Sequence, residues 1–595
     1  MQFAAIDYAV VIGFFLLTLS VGLWVSKRSG QNTTEYFLSG RNLPWWLLGM
    51  SMVATTFSTD TPNLVTDLVR THGVSGNWVW WAFLLTGMLT VFIYARLWRR
   101  SGVTTDLEFY ELRYSGKPAK FLRAFRSVYL GLLFNVIAMA MVTLAAIKIG
   151  QVMLDLPPIL TVGVAGAVTV VFSSFGGFRG VVYTDAILFF VAMTGAIGAA
   201  YVSVNHEQVG GITNLLSHPA VAEKISILPD FNNTDLLVTV FVIPIAVQWW
   251  SAWYPGAEPG GGGYVAQRML AAKDEDQAIV ATFFFNILHY ALRPWAWILV
   301  ALSSLVVFPD IASLQSAFPA VTADKLGHDL AYPAMLTFLP TGLLGLVVAS
   351  LVAAYMSTIS THLNWGASYI VHDFYRKTID ENASETTLVN VGRITTVVLM
   401  VLAVLLALSF TNAAQVFRVI IMFGAGSGLI FLLRWFWWRI NAWSEITAMT
   451  VSGIVSVSLA FTPIGPFLFG PGGTAPSYLE FPFVVLVTTA AWLLVTYITP
   501  PEPDEKLIEF YEKIRPGGPG WKKIAEGTAF STSDDRKKLA PGILASVVGT
   551  FLVYSAMFGT GFWLYGRYTL GLVFTGLAVV FGYALARVWK RMRAI

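Results

Sequence analysis

No cysteine occurs anywhere in the 595 residues. That absence excludes disulfides, iron–sulfur clusters and thiol catalysis, and it leaves the redox compartment undetermined. Charge is scarce as well: 12% of the residues are Asp, Glu, Lys or Arg, where a soluble domain carries about a quarter. The seven histidines, at 72, 206, 218, 289, 328, 362 and 372, are scattered without metal-ligand spacing. No nucleophile–base pair or metal set stands out, so an enzyme is not expected. Neither is a nucleic-acid partner or an obligate protein partner. What the chain has in excess is apolar surface: 56% hydrophobic residues and a mean hydropathy of +0.66. Apolar runs of about 20 residues recur along it, which makes it a multi-pass integral membrane protein whose first partner is the lipid bilayer. The first run, Tyr8 to Val25, has an acidic residue before it and Lys27 and Arg28 after it. That is the reverse of a signal peptide, so the run is expected to stay as a span.

One stretch organises the rest. Pro44 to Pro62, PWWLLGMSMVATTFSTDTP, begins as a membrane helix and turns polar midway, at Ser51, Thr55, Thr56, Ser58, Thr59, Asp60 and Thr61. Hydroxyls can bond back to the helix and loosen it, and Pro62 removes a backbone donor. A span broken at the bilayer midplane bares carbonyls, which is tolerable only where they line a cavity or hold an ion. Such a break points to the binding site of a secondary transporter. The competing reading, a polar face packed on neighbouring helices, accounts less well for seven polar residues that include Asp60.

Fifteen spans are predicted, near 6–26, 44–66, 76–98, 121–152, 159–175, 181–204, 235–255, 277–308, 342–372, 388–409, 413–437, 442–463, 480–499, 541–562 and 568–588. Basic residues crowd 96–126, 501–540 and the tail, and Arg268, Lys273, Arg376 and Lys377 fall on the same side. The positive-inside rule then places the N-terminus outside and the C-terminus inside. A second interruption, SAWYPGAEPGGGGY at 251–264, follows the seventh span as the first break follows the first span. Paired interruptions suggest an inverted repeat of helices 2–6 and 7–11, although the same run reads equally as a flexible cytoplasmic loop. The expected organisation is an extra N-terminal helix over 1–30, repeats over 44–204 and 235–437, and accessory helices over 442–499. A cytoplasmic linker with one amphipathic helix over 500–540 and two C-terminal helices over 541–595 complete it.

Two further features carry chemistry. In the ninth span, Ser357, Thr358, Ser360, Thr361 and Asn364 cluster, with Ser357, Ser360 or Thr361, and Asn364 on one helical face. Hydroxyl and carbonyl oxygens suit a hard cation rather than a transition metal. In the sixth span, Asp185 is a carboxylate inside an apolar helix, costly unless paired or functional. Its structural partner would be Arg179.

YFLSGRNLPWW with the broken span behind it, GGFRGVVYTD, QRMLAAK and the Ser/Thr cluster before HDFY together resemble the sodium:solute symporter family, over about residues 1–440. The resemblance implies an all-α polytopic membrane protein with the 5+5 inverted repeat of the bacterial leucine transporter, one extra N-terminal helix and about four extra C-terminal ones. It also implies Na+ as coupling ion. One sodium would be held by the carbonyls of Ala54, Phe57 and Ala354 and the hydroxyls of Ser357 and Thr358. A second, present in some members, would map to Asp185, Ser357, Ser360 and Thr361. Two charges crossing ~100 mV release roughly 4.6 kcal/mol, enough at about 1.4 kcal/mol per decade for more than a thousandfold accumulation of a neutral solute.

The solute is a small polar organic molecule, with a sugar or polyol favoured over an amino acid or carboxylate. Galactose-binding members carry Glu–Trp where this chain has Asn77–Trp78, and a Lys that aligns with His289. Thr56, Asp60, Thr61, Asn77, Trp80, Gln248, Trp253, Tyr254, His289 and Arg418 are the candidate contacts, polar groups beside aromatic platforms. Arg293 reads either as a carboxylate receptor or as an interfacial anchor. The chain is expected in a bacterial inner membrane. A membrane solute sensor signalling through 500–540 and a proton-coupled carrier using Asp185 are the rivals.

Overall fold

The computed structural model describes residues 3–29, 38–154, 156–251, 259–322, 325–410, 413–470, 474–528 and 532–594. Helices dominate throughout. Counting the longer elements, the order is α1 Ala5–Ser29, α2 Trp45–Thr55, α3 Asp60–His72, α4 Val74–Ser101, α5 Gly116–Met153, α6 Pro158–Val204, α7 Thr234–Gln248, α8 Gly263–Ala271 and α9 Glu275–Val307. It continues with α10 Leu343–Ile379, α11 Glu385–Ser409, α12 Ala413–Leu433, α13 Ala442–Phe461, α14 Ser477–Ile498, α15 Asp504–Ile514, α16 Thr532–Leu564 and α17 Tyr568–Ala594. Among the described residues, ten helices are long and apolar enough to cross a membrane, and five shorter apolar helices fall on five further predicted spans.

One boundary differs from expectation. Two spans are predicted over 159–175 and 181–204, yet the helical backbone runs unbroken from Pro158 to Val204. Straight, its 47 residues would reach about 70 Å, more than twice the hydrocarbon thickness. Its two parts pack on different neighbours: Gly166 lies against Met400 of α11, whereas Gly195 and Gly198 lie against Ser350 and Leu343 of α10. No Pro interrupts the stretch after Pro158, and so nothing forces a loss of helical hydrogen bonds where a connecting turn is predicted.

Buried polar groups tie the helices at both ends. The Asp7 carboxylate accepts from the backbone N–H groups of Gly342 and Gly345, 2.8 Å each, fastening α1 to the start of α10 where orphan donors need a partner. At the basic end, Arg123 of α5 pairs with Asp373 of α10 at 2.7 Å and also with Glu108 and Glu111. The 500–528 stretch is packed against the bundle rather than free. Leu507, Phe510, Tyr511 and Ile514 form the buried face of α15. The Arg113 guanidinium lies over the Phe510 and Trp521 rings while donating to the carbonyls of Arg434, Trp437, Trp438 and Ile440.

Close helix approach depends on small residues. A Cβ on Gly428 of α12 would stand 1.9 Å from the Trp250 carbonyl oxygen at the end of the seventh span. Backbone cannot yield as a side-chain tip can. We expect Gly428→Ala to be strongly destabilising, read as loss of folded protein in thermal unfolding, whereas Gly576→Ala, with open space around it, leaves the melting temperature unchanged.

Candidate functional site

The helix α2 stops at Thr55, and Thr56 to Thr59 are non-helical before α3 begins at Asp60. The reason is local. The Thr55 hydroxyl bonds back to the Ser51 carbonyl at 2.9 Å, and the Thr56 hydroxyl to those of Met52 and Val53. These bonds compete with propagation of the helix. The Phe57 amide reaches only to Ala54, a tightened last turn. Pro62 sits in the first turn of α3, where its missing N–H costs nothing; it helps to start the second half.

Across the break stands α10, and its polar face is aimed at it. The Thr358 hydroxyl donates to the Thr55 carbonyl at 2.8 Å, and Ser357 donates to Asp185 Oδ1 at 2.7 Å. The hydroxyls of Thr361 and Thr55 are 3.1 Å apart. Ser51 donates to Asp185 Oδ2 at 2.5 Å. Ser357, Thr358, Thr361, Ser51, Thr55 and Asp185 are all buried. Three helices distant in sequence therefore meet in one oxygen-rich cluster. Ala54, Phe57 and Ala354 are buried as well, with Ala54 and Phe57 on either side of Thr55 and Thr56, where the helix ends. Ser360 turns the other way, bonding back to the Ser357 carbonyl at 3.1 Å.

A residue the sequence reading assigns to a cytoplasmic loop lies at the centre. Arg268 of α8 is fully buried, its guanidinium 3.7 Å from Asp185 Oδ2. It donates to Ser51 at 3.1 Å and to Thr361 at 3.0 Å, with a longer contact to Thr55 at 3.4 Å. Its flat face lies over the Phe178 and Tyr264 rings. The partner of Asp185 is thus Arg268, while Arg179 stacks on Tyr183. Buried charges need such pairing. The positive-inside count places Arg268 outside the bilayer because it follows a Gly-rich run. That run is in fact locked: Gly260 and Gly261 adopt φ of +80° and +81°, the left-handed region that favours glycine. Trp98 Nε1 donates to the Gly260 carbonyl and Gly263 N–H to Asp106.

The opposite side of the break holds Thr56, Asn77, Trp80, Gln248 and His289, five of the ten candidate solute contacts. In α9 a wide π turn over Ile287–Leu292 ends at Pro294, which supplies no backbone N–H. The Thr56 hydroxyl is 3.1 Å from His289 Nδ1 and accepts from Arg293 at 3.0 Å. Arg293 is buried, over the Phe57 and Trp297 rings, and donates to the Val53 carbonyl; it is no interfacial anchor. The His289 ring meets Trp80 edge-on at 5.7 Å, and Trp80 donates to Asn77 at 2.9 Å. Gln248 donates to the Val79 carbonyl, so it borders the same wall. Asp60, Ser58 and Thr61 form a hydroxyl–carboxylate group at the start of α3, tied to the break by the Thr61 hydroxyl, which donates to the Thr56 carbonyl at 3.4 Å. Trp253 and Tyr254 lie outside the described residues, as does the side chain of Arg418.

This is the arrangement of a transporter: a broken helix whose exposed backbone faces an oxygen cluster on one side and a polar–aromatic wall on the other. The chain belongs to the sodium:solute symporter family, whose profile matches residues 36–452. It is similar to the sodium/glucose cotransporter of Vibrio parahaemolyticus, 27% identical over 78% of this chain and 87% of that one. It also resembles the sodium/mannose cotransporter of Bos taurus, 27% identical over 84% and 88%. The sodium/myo-inositol cotransporter 2 of Homo sapiens is 26% identical over 77% and 71%. The fold is that of a Na+-coupled sialic acid symporter solved in a substrate-bound outward-open state, with TM-score 0.65 and 20% identity, covering 84% of this chain and all of that one. The protein is accordingly a leucine-transporter-like, multi-pass membrane protein and a sodium-coupled symporter of a small solute, not an enzyme.

Proposed function

We propose that the chain imports a sugar or polyol, with one sodium held between the break of α2 and the hydroxyls of α10, and a second at Asp185. The observation that carries the first site is the Thr358 hydroxyl on the Thr55 carbonyl, which brings α10 against the open end of α2. A hydroxyl that donates one hydrogen keeps lone pairs for a cation, and a set made of hydroxyl and carbonyl oxygens suits sodium. The carbonyls of Ala54, Phe57 and Ala354 with Ser357 and Thr358 are the ligands in this reading. At the second site Asp185, Ser357 and Thr361 supply the oxygens, and Ser360 joins them by turning away from its own helix. Arg268 already contributes a positive charge there. A sodium entering at Asp185 must therefore share the carboxylate with the guanidinium or displace it. In this reading the N-terminus faces outward, the membrane is a bacterial inner membrane, and access alternates as one group of helices rocks against the other.

The names of the relatives support a neutral polyhydroxy solute. So does the chain Thr56, His289, Trp80 and Asn77, which alternates hydrogen-bonding groups with an aromatic surface. A second reading, an amino acid or carboxylate, is favoured by Arg293 beside the break: its Nε has no hydrogen-bond partner among the described residues. A thermal-unfolding screen decides between them. A bound ligand at 100 times its Kd stabilises by about 2.7 kcal/mol, so a sugar or polyol should raise the melting temperature in sodium and not in choline. Stabilisation by amino acids or carboxylates alone would overturn the sugar reading.

A further inference from the structure

The open end of α2 is held from two sides. On one, the Thr55 carbonyl accepts from Thr358 of α10 at 2.8 Å. On the other, the Val53 carbonyl accepts from Arg293 Nη1 of α9 at 3.4 Å, and the same nitrogen donates to the Thr56 hydroxyl at 3.0 Å. Thr56 in turn donates to the Val53 carbonyl at 2.9 Å. Ala54 lies between these anchored residues and Phe57 just beyond them. Their carbonyls are sodium ligands in the proposed first site. A backbone ligand has no side chain to direct it, so its orientation is that of the rigid peptide planes on either side.

The helix α9 is shaped for this grip. The Arg293 N–H bonds to the Leu288 carbonyl, five residues back, at 3.2 Å, the wide spacing of a π turn. Trp297, one turn further along, lies under the guanidinium at 5.0 Å, and the Phe57 ring lies on it at 5.7 Å. The two rings meet edge-on, 5.0 Å apart. One ring comes from α9 and the other from the break, so the buried guanidinium joins the two. A planar fork can serve a carbonyl and a hydroxyl while its face rests on rings, which an ammonium cannot do. A cation at the C-terminal end of a helix is also favoured by the helix dipole.

We propose that Arg293 is a positioning residue for the first sodium site. It does not touch the ion; it fixes the backbone of residues 53–57 in the conformation from which Ala54 and Phe57 offer their carbonyls. The inference rests on the first-site reading and not on the identity of the solute, because it uses Nη1 and leaves Nε aside. Charge alone predicts the opposite sign. A guanidinium near the ion repels it, so neutralising Arg293 would tighten sodium binding if the residue acted only as a charge. Loss of the grip weakens it.

The test is a saturation curve for radioactive sodium on the purified full-length protein at equal folded fraction, in wild type, Arg293→Gln, Arg293→Lys and Thr358→Ala. Arg293→Gln should bind sodium about tenfold more weakly, the effect of one lost hydrogen bond from a charged group. Arg293→Lys keeps the charge but not the fork and should also bind more weakly than wild type. A role in stability alone would lower the melting temperature equally with and without sodium and leave the curve in place. If Arg293→Gln does not accumulate, Arg293→Lys decides in its stead, and binding at the wild-type level overturns the inference. An unchanged or tighter curve for Arg293→Gln beside a displaced one for Thr358→Ala overturns the role of Arg293 and leaves the site standing. An unchanged curve for Thr358→Ala removes the first site and this inference with it.

Discussion

Replacing Asp185 by Asn should be strongly destabilising, and the loss should be largely repaired by a second substitution, Arg268→Gln. The carboxylate is fully buried and holds Ser51, Ser357 and Arg268 at once. Removing one member of a buried pair leaves the other charge without compensation, at about 3–5 kcal/mol. Asp185→Asn is thus expected to lower the melting temperature markedly, and Arg268→Gln alone to do the same by stranding the carboxylate. The double variant has no stranded charge and should return most of that stability. Sodium coupling separates the two roles: if Asp185 binds the second ion, the double variant transports with fewer sodium ions per solute although it is folded. A double variant with the wild-type charge-to-solute ratio would remove Asp185 from the ion pathway and leave it a structural partner of Arg268. A double variant no more stable than the singles would mean that the pair is not what makes either residue indispensable.

The second large effect is expected at Thr358. Its hydroxyl is the direct link between α10 and the last carbonyl of α2, and in the proposed site it is also a sodium ligand. Thr358→Ala removes both, and Ser357→Ala removes a ligand and one bond to Asp185. A lost charge-assisted contact of this kind is worth about 1.5–3 kcal/mol, so the sodium concentration for half-maximal uptake should rise by about tenfold or more. Thr358→Ser, which keeps the oxygen, should stay close to wild type. An unchanged sodium dependence in Thr358→Ala would show that the ion sits elsewhere. Replacement of sodium by choline at fixed pH separates this account from a proton-coupled carrier, which should keep transporting.

Much of this site was legible in the sequence because its signals are local. A run of hydroxyls in an apolar span, a hydroxyl face at helical spacing and a carboxylate inside a helix each have a cost that only structure or function can offset. These signals placed a break within Pro44 to Pro62, which the structure narrows to Thr56 to Thr59, and marked Ser357, Thr358 and Asp185. Arg268 was not legible in the same way. Its position after a glycine run reads as a loop cation, and its burial depends on how α8 packs between α2 and α10, a tertiary fact with no periodicity. Ser51 was visible only as one hydroxyl among several; its role follows from meeting Arg268 and Asp185 together. The assignment of Arg179 as partner to Asp185 rested on nearness in sequence, and three-dimensional approach overrode it. The solute wall is the least legible part, because its residues come from α2, α4, α7 and α9 and share no motif.

The most direct test of the account needs no knowledge of the solute. Binding of radioactive sodium to the purified protein is measured as a saturation curve for wild type and Thr358→Ala at equal folded fraction; the difference between the curves reports the first ion site, to which Thr358 belongs. The account predicts saturable binding in wild type and a curve displaced to higher sodium by about tenfold or more in Thr358→Ala, with Thr358→Ser close to wild type. Superimposable curves for Thr358→Ala and wild type would contradict it.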